Sequence, residues 1–449
     1  MGKTKGFFIK GLITILFIQS FHLGVFAQDH PPIVVIRLND AISSTLTNNR
    51  TLDLAKLDEK IAESNYKQTS SFFLPQVDFS YSAFLSNNPL NTFGFKLQEK
   101  SINAQDFNPT LLNSPGSIHD FTTKLNVQQP LLNLDLFLKR KASGKQREVY
   151  RFKTQRTEEY LAWEVKKTFI QLEQAYATVE VLKNAISTSN EVFSFTENRF
   201  QQGLLQKSDV LNTQVELRSL ETSIEKAKSN IQNVSDYLSL LMGKDLGPQY
   251  QIEKEINLEN LNSDTARTVF ENRADFMAMG KAIEASNLMI QSARMSFYPR
   301  LNAFGNYQLN DKQGLGFSAN AYFIGFQLSW DIFRGNRIKN SITSQVFERD
   351  KLREQLTQQK ELSQMEINKS LRDLKDSKLD IEQKKLSVEQ ATESFKILDN
   401  RYKQGLLANI EVLRASSQLT GQKFALTESL TNYKLALAYL QFLTHSTTK

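Results

Sequence analysis

The 449-residue chain repeats itself, and that repetition constrains its fold more than any local motif. Glu197–Leu217 reads ENRFQQGLLQKSDVLNTQVEL; Asp399–Leu419, 202 residues on and without a gap, reads DNRYKQGLLANIEVLRASSQL. Nine of the 21 positions are identical, including the run Gln-Gly-Leu-Leu. Self-similarity of this kind marks a tandem architecture in which each copy supplies one supersecondary unit. The likeness extends upstream. Phe72-Phe73-Leu74-Pro75-Gln76-Val77 matches Ser296-Phe297-Tyr298-Pro299-Arg300-Leu301 in character, and LNVQQPLL from Leu125 matches FQLSWDIF from Phe326. Each half therefore reads as helix, two strands, long helix, Gly turn, helix. Gly243, Gly247 and Pro248 break the helical pattern and set a junction. The organisation expected is a first repeat over 28–242, a linker over 243–265 and a second repeat over 266–449.

The strand candidates alternate in polarity. Val77, Phe79, Tyr81 and Leu85 oppose Asp78, Ser80 and Ser82, while Leu125 and Val127 oppose Lys124, Asn126 and Gln128. In the second half Leu301, Ala303, Tyr307 and Leu309 oppose Asn302, Asn306 and Gln308. The last strand sets Tyr322, Ile324, Phe326, Leu328 and Trp330 against Gly325, Gln327 and Ser329. A period of two means one apolar and one polar face. Segments of about ten residues fit a transmembrane barrel strand and equally a half-buried soluble sheet. Little else in the sequence is available to cover the apolar face, which favours the membrane.

The helices are unusually long. From Lys139 to Phe200 there is no proline and only Gly144 among glycines; Ile338 to Tyr402 has neither. Val165, Phe169, Leu172, Tyr176, Val179, Leu182, Ile186 and Phe193 recur at spacings of three and four, a coiled-coil pattern. Sixty residues make a rod of roughly 90 Å, far beyond the usual ~11–12 residues. Leu204–Leu241 and Leu406–Leu443 form the returning arms. Such a hairpin is a spacer or a tube wall.

The N-terminus sets the compartment. Lys3, Lys5 and Lys10 precede an apolar run from Gly11 to Phe26, and Val25-Phe26-Ala27 offers small residues at a cleavage site before Gln28. This is a signal-peptide pattern over residues 1–27. The alternative, an uncleaved anchor, is disfavoured because the run falls short of the ~20 residues of a spanning helix. Without those three lysines, 52 basic residues face 48 acidic ones. That balance is too mild for a nucleic-acid partner, which needs a basic stripe with interleaved aromatics. The absence of cysteine excludes disulfides, thiolate metal sites and a lipid-modified cysteine. The four histidines are scattered, and HExxH, P-loop, GxSxG and dinucleotide motifs are all missing. The sequence thus points to no enzyme, cofactor or metal.

Gly203 and Gly405 mark the helix reversals, where a left-handed capping glycine is expected. Asp209 and Glu411 follow in the first turns of the returning helices. Each either complements the helix N-terminus, worth about 0.3–1 kcal/mol, or contributes to a charged ring in a tube.

The pattern R-[FY]-x-x-G-L-x-x-x-x-[DE]-V-L, at Arg199–Leu211 and again at Arg401–Leu413, resembles the tip turn of the TolC family of outer-membrane factors. So do Leu74–Val77 and Val127–Leu132 beside the strands, and Glu271-Asn272-Arg273-Ala274-Asp275, which is similar to the family's E-x-R-P-D. The resemblance implies an α+β membrane protein with four transmembrane strands per subunit. It further implies a homotrimer with a twelve-stranded barrel in outer-membrane lipid, and long antiparallel coiled-coil hairpins forming a periplasmic α-barrel. Its tip turns (Arg199, Gly203, Leu204, Arg401, Gly405 and Leu406) would meet a periplasmic adaptor and an inner-membrane pump. Glu411 would line the constriction, and Tyr402 would hold the tip closed against the neighbouring hairpin, where Asp209 lies. Arg414 departs from members with a double acidic ring, which argues against strong cation selectivity. The function implied is passive conduction in an efflux or type I secretion system. The rival from the residues alone is a soluble periplasmic coiled-coil scaffold or adaptor without a pore. The long Ser86–Asp120 connection reads as external cover.

Overall fold

The computed structural model describes residues 32–253 and 271–444. The signal-peptide expectation, and residues 254–265 of the linker, lie outside the described residues. The elements in order are β1 (Ile33–Ile36), α1 (Leu38–Asn48), α2 (Arg50–Gln68), β2 (Gln76–Ser86), α3 (Pro89–Gln98) and α4 (Pro109–Asn113). Then come β3 (Ile118–Leu132), α5 (Leu134–Gln201), α6 (Lys207–Leu241), β4 (Gln249–Ile252) and α7 (Ala274–Met295). The chain ends with β5 (Arg300–Asp311), β6 (Ala319–Ser329), α8 (Arg337–Lys403) and α9 (Asn409–Leu443).

The four long strands make one antiparallel sheet in the order β2-β3-β5-β6. Its register aligns the apolar rows. Phe79 lies beside Leu125, Leu125 beside Tyr307 and Tyr307 beside Tyr322; the next row is Val77, Val127, Gly305 and Ile324. Neighbouring side chains on one face support one another across strands, yet among the described residues no layer covers this face. Phe79, Tyr322, Ile324 and Phe326 are each at least 70% exposed. The opposite face carries Asp78, Asn126, Asn306 and Gln327, with the Asn126 amide donating to Asp78 at 2.7 Å. Edge strands β2 and β6 are both unpaired on their outer sides. Among the described residues no helix is long and apolar enough to cross a membrane.

The helices are longer than the repeat pattern alone suggested. α5 has 68 residues and α8 has 67, each about 100 Å at 1.5 Å per residue. The returning helices α6 and α9 have 35 each and cover about half that length. Beside the other half of α5 lie α2 and α7. The main core runs along α5 through Leu161, Val165, Phe169, Leu172, Val179 and Leu182, meeting Ile224, Ile231 and Leu238 of α6. By contrast α8 leaves Met365, Leu379 and Leu386 about half exposed, at heptad-compatible spacings of 14 and 7.

Midway along the rods sits a feature absent from the sequence reading. β1 and β4 pair in parallel, Ile33 with Gln249 through Ile36 with Ile252, so the linker holds a strand. Tyr250 is buried there, and its carbonyl accepts from the Tyr176 hydroxyl at 2.7 Å. The first helix is also two helices, broken at Asn49. Asn49 Oδ1 caps α2 at the amides of Thr51 and Leu52, while its Nδ2 donates to the last carbonyl of α6, Leu241, at 2.7 Å. One buried side chain thus closes two helix ends.

In the second half the matching position is held by Arg273. Its guanidinium is buried and forks onto Asp275 at 2.7 and 2.8 Å, donates to Ser363 Oγ at 2.6 Å and reaches the Leu443 carbonyl at 3.4 Å. It therefore ties the start of α7 to α8 and to the end of α9. Burial alone would push the Asp275 carboxyl up, but the Arg273 hydrogen bonds and charge outweigh it and hold it below the usual range.

Candidate functional site

The two hairpin reversals come together at one end of the molecule. Each follows the same local chemistry. Gly203 has φ +74° and Gly405 φ +78°, the left-handed region that a side chain disfavours. The Gly203 amide donates to the Phe200 carbonyl at 2.8 Å and the Leu204 amide to Arg199 at 2.9 Å. Gly405 and Leu406 repeat this onto Tyr402 and Arg401 at 2.8 and 3.0 Å. These are paired Schellman closures, which satisfy the last carbonyls of α5 and α8. The leucines that follow, Leu204 and Leu406, point into solvent, 61% and 71% exposed. Arg401 is also exposed.

The turns differ in what surrounds them. Around Gly203 there is open space, whereas a Cβ at Gly405 would stand 2.7 Å from Arg199 Nη1. Arg199 leans from the first hairpin over the second, stacks on Phe195 with its guanidinium carbon 5.1 Å from the ring centre, and donates to the Lys403 carbonyl at 3.3 Å. Gly405 is thus needed for its backbone angle, and a side chain there would make the mobile Arg199 tip shift.

A seam joins the hairpins behind this contact. Tyr402 is buried, packs edge-on against Phe195 at 5.1 Å, and exchanges a 2.6 Å hydrogen bond with Thr196 Oγ1. The sequence reading set Tyr402 against the hairpin bearing Asp209; the hairpin is that one, but the hydroxyl partner is Thr196. Burial raises the Tyr402 phenol, and the nearby Asp209 charge acts in the same direction while the Thr196 hydrogen bond and Arg199 oppose it. Asn409 Nδ2 donates to the Asp209 carbonyl at 2.9 Å, and Ser417 Oγ donates to Glu216 Oε1 at 2.9 Å. Around these bonds Val192, Phe195, Phe395, Leu407, Val412 and Leu413 form a small apolar cluster.

The two acidic residues are not equivalent. Asp209 turns back to accept from the Gln206 amide at 3.1 Å, the capping arrangement that an acidic residue at this position favours. Glu411 makes no such cap. It sits 3.5 Å from Arg414 Nη1, both side chains being substantially exposed. Thr196, Asn409 and Ser417 were missed by motif reading. A signal existed: the positions 202 residues away hold Leu398, Lys207 and Val215, so the seam is built where the two copies differ.

Among the described residues no group of three or more His, Asp or Glu is placed to hold a metal ion. The main cavities lie along the rods and on the sheet and gather no catalytic set.

A family model described as outer membrane efflux protein matches residues 41–244 and 266–444. The cation efflux system protein CusC of Escherichia coli (strain K12) is 22% identical over 269 residues, 58% of this chain and 53% of that protein. The chain spans about half the length of the curated relatives it matches. A crystal structure of CusC superimposes with a TM-score of 0.78 at 18% identity, covering 91% of this chain and 92% of that one. The outer membrane protein VceC of Vibrio cholerae gives 0.74 at 20%, covering 92% and 97%. The CmeC outer membrane channel of Campylobacter jejuni gives 0.76 at 19%, covering 91% and 85%. At such identities the structural likeness is one of fold.

Proposed function

The chain belongs to the outer membrane efflux protein family, which places it in the outer membrane of a Gram-negative cell with its helices extending into the periplasm, and on that premise we propose that it is one subunit of a passive export duct. The observation that carries this reading is the sheet: four strands with one uncovered apolar face and two open edges. Unpaired strand edges are not tolerated in lipid, so a sheet that inserts must close. β2 and β6 run in opposite directions, so β6 of one copy beside β2 of the next continues the antiparallel pattern. Three copies give the twelve strands that the family resemblance implies. The half-exposed row on α8 supports the same arrangement, since a coiled-coil seam without a partner is unstable in water.

In this reading the hairpins of three subunits form a periplasmic tube, and their tips, with exposed Leu204 and Leu406, dock on an adaptor of an inner-membrane pump in a tripartite efflux or type I secretion system. The protein is a conduit and takes its energy from that pump. Arg199, Tyr402 and Asp209 belong to the seam that holds the tip closed, and Glu411 with Arg414 lines the constriction. Membrane fractionation tests the assignment against a soluble scaffold. A heat-modifiable trimer that needs detergent for extraction supports the duct; a monomer released with the soluble periplasm would contradict it.

Two consequences of the tip follow. Each seam hydrogen bond is worth about 1 kcal/mol net. Combining Tyr402→Phe, Arg199→Gln and Asn409→Ala should therefore shift the closed–open balance by about 3 kcal/mol, on the order of a hundredfold. The expected result in single-channel recording is a marked rise in open probability without loss of trimer. Arg414 sits beside each Glu411 and offsets its charge, so Arg414→Gln should raise cation over anion permeability, read as a shift in reversal potential in a salt gradient. An unchanged potential would remove Glu411 from the conduction path.

A further inference from the structure

The connection between β2 and β3 is expected as external cover, and in the structure it folds onto the polar face of the sheet. Asn88 caps α3 by accepting from the amides of Leu90 and Asn91, and Pro89 fits the first turn. The helix ends at Gln98, and beyond its cap Lys100, with φ of +55°, reverses the chain, the Ser101 amide closing onto the Lys96 carbonyl at 2.9 Å. The short turn Ala104–Phe107 that follows braces it through a 2.6 Å ion pair between Lys96 and Asp106.

The face on which α3 rests is the polar one. Phe84 of β2 lies opposite Asp120 of β3, on the same side as Ser80 and Ser82, and Phe95 of α3 stacks on Phe84 at 5.9 Å. Gln98 accepts from Asn310 of β5 at 3.4 Å, and the same amide donates to Thr122 at 2.8 Å and Asp120 at 3.0 Å. Lys100 Nζ reaches Asn320 of β6 at 3.4 Å. The helix thus crosses from the first strand to the last. Asp120, Asn310 and Ala319, which would otherwise open onto water, are at most 2% exposed.

We propose that α3 is a second constriction of the duct, a lid over its outer mouth that rests on the lumen face of the sheet through Phe95 and Gln98, with Lys100 reaching Asn320 at the rim of β6. This depends on the trimeric-duct reading above. Twelve strands about 4.8 Å apart and tilted about 40° enclose a circle roughly 24 Å across. A helix with side chains is about 10 Å thick, so three at the rim occupy most of that width.

Glu99, at the end of α3, is the point at which the lid is held least firmly. It is 8% exposed; one carboxylate oxygen takes the Ser101 hydroxyl at 3.3 Å and the other has no hydrogen-bond partner among the described residues. Burial raises its carboxyl, and the charges of Asp120 and Asp311 add to this, while Ser101 and Lys312 oppose it. A carboxyl raised in the docked state favours docking while protonated. Docking weakens as pH climbs from the ordinary value near 4.3 through the raised one. The lid therefore loosens toward neutral pH.

The test uses the full-length trimer carrying the three seam substitutions, recorded in a planar bilayer at about pH 4.5 and about pH 7.5. The expected result is a several-fold higher unitary conductance at the higher pH. Glu99→Gln should stay at the low level throughout. Because the chain has no cysteine, Lys100→Cys with Asn320→Cys can be bridged by a short bis-maleimide, and the bridged trimer should also stay low. Equal conductance with and without the bridge at both pH values would overturn the lid while leaving the duct intact. Failure of the bridge to form would overturn the docked position. A protein with no conductance in any form removes the duct and the lid together.

Discussion

Ile324→Arg is expected to abolish assembly in the outer membrane, whereas Asn306→Arg should leave it intact. Ile324 sits mid-strand in β6, 75% exposed, in the row with Gly305, Val127 and Val77. If that row faces lipid, an arginine near the bilayer midplane costs about 2–4 kcal/mol, and a trimer carries the change three times. Folded proteins are stable by only about 5–15 kcal/mol, so a cost of that size removes most of the margin. Asn306 lies one strand away but on the polar face, beside Asn126 and Phe323. A charge there meets water in the lumen and changes conduction, not insertion. The measurement is the amount of heat-modifiable trimer in washed membranes. Equal loss, or equal tolerance, at both positions would mean that the sheet does not face lipid on one side only.

The second large effect lies far from both ends. Arg273→Leu leaves the partly buried Asp275 without its two short guanidinium bonds, and leaves Ser363 and the Leu443 carbonyl without that donor. Breaking a buried pair by removing one partner costs about 3–5 kcal/mol, because the remaining charge is stranded. Gln359, which donates to Asp275 at 2.9 Å, offsets part of this. The expected outcome is a lowered unfolding temperature of the detergent-solubilised protein, with substantial recovery in Arg273→Leu combined with Asp275→Asn. The pH dependence has a definite sign. Asp275 has a depressed folded value, so its contribution is present above the unfolded carboxyl value near 3.9 and is lost as pH falls through the folded one. The variant should lose that acid sensitivity.

Long-range periodicity made the rods legible. An uninterrupted pattern without proline specifies a helix, so α5 and α8 needed no tertiary information, and the two capping glycines followed from chirality alone. The strands were legible for the same reason: alternation at period two fixes which face is apolar. The β1–β4 pair was not, because four residues carry too little period to register and their partners lie more than 200 residues apart. Nor was the inward turn of α3. Asn88-Pro89 announces a helix start, but nothing local says on which side of a sheet that helix will lie. At the tip, the motif common to both copies drew attention away from the seam. Tyr402 was identified through family resemblance, yet Thr196 and Asn409 act only because the hairpins meet unlike faces, and a motif shared by both copies cannot show an asymmetry between them.

The central claim is that a subunit with an open sheet becomes complete only in a ring that conducts. Purified full-length protein, extracted in detergent and recorded in a planar bilayer, tests it most directly. Discrete current steps from a trimeric species, with open probability raised by the combined Tyr402, Arg199 and Asn409 substitutions, are the predicted result. A monomer that stays in water without detergent and gives no conductance would contradict it.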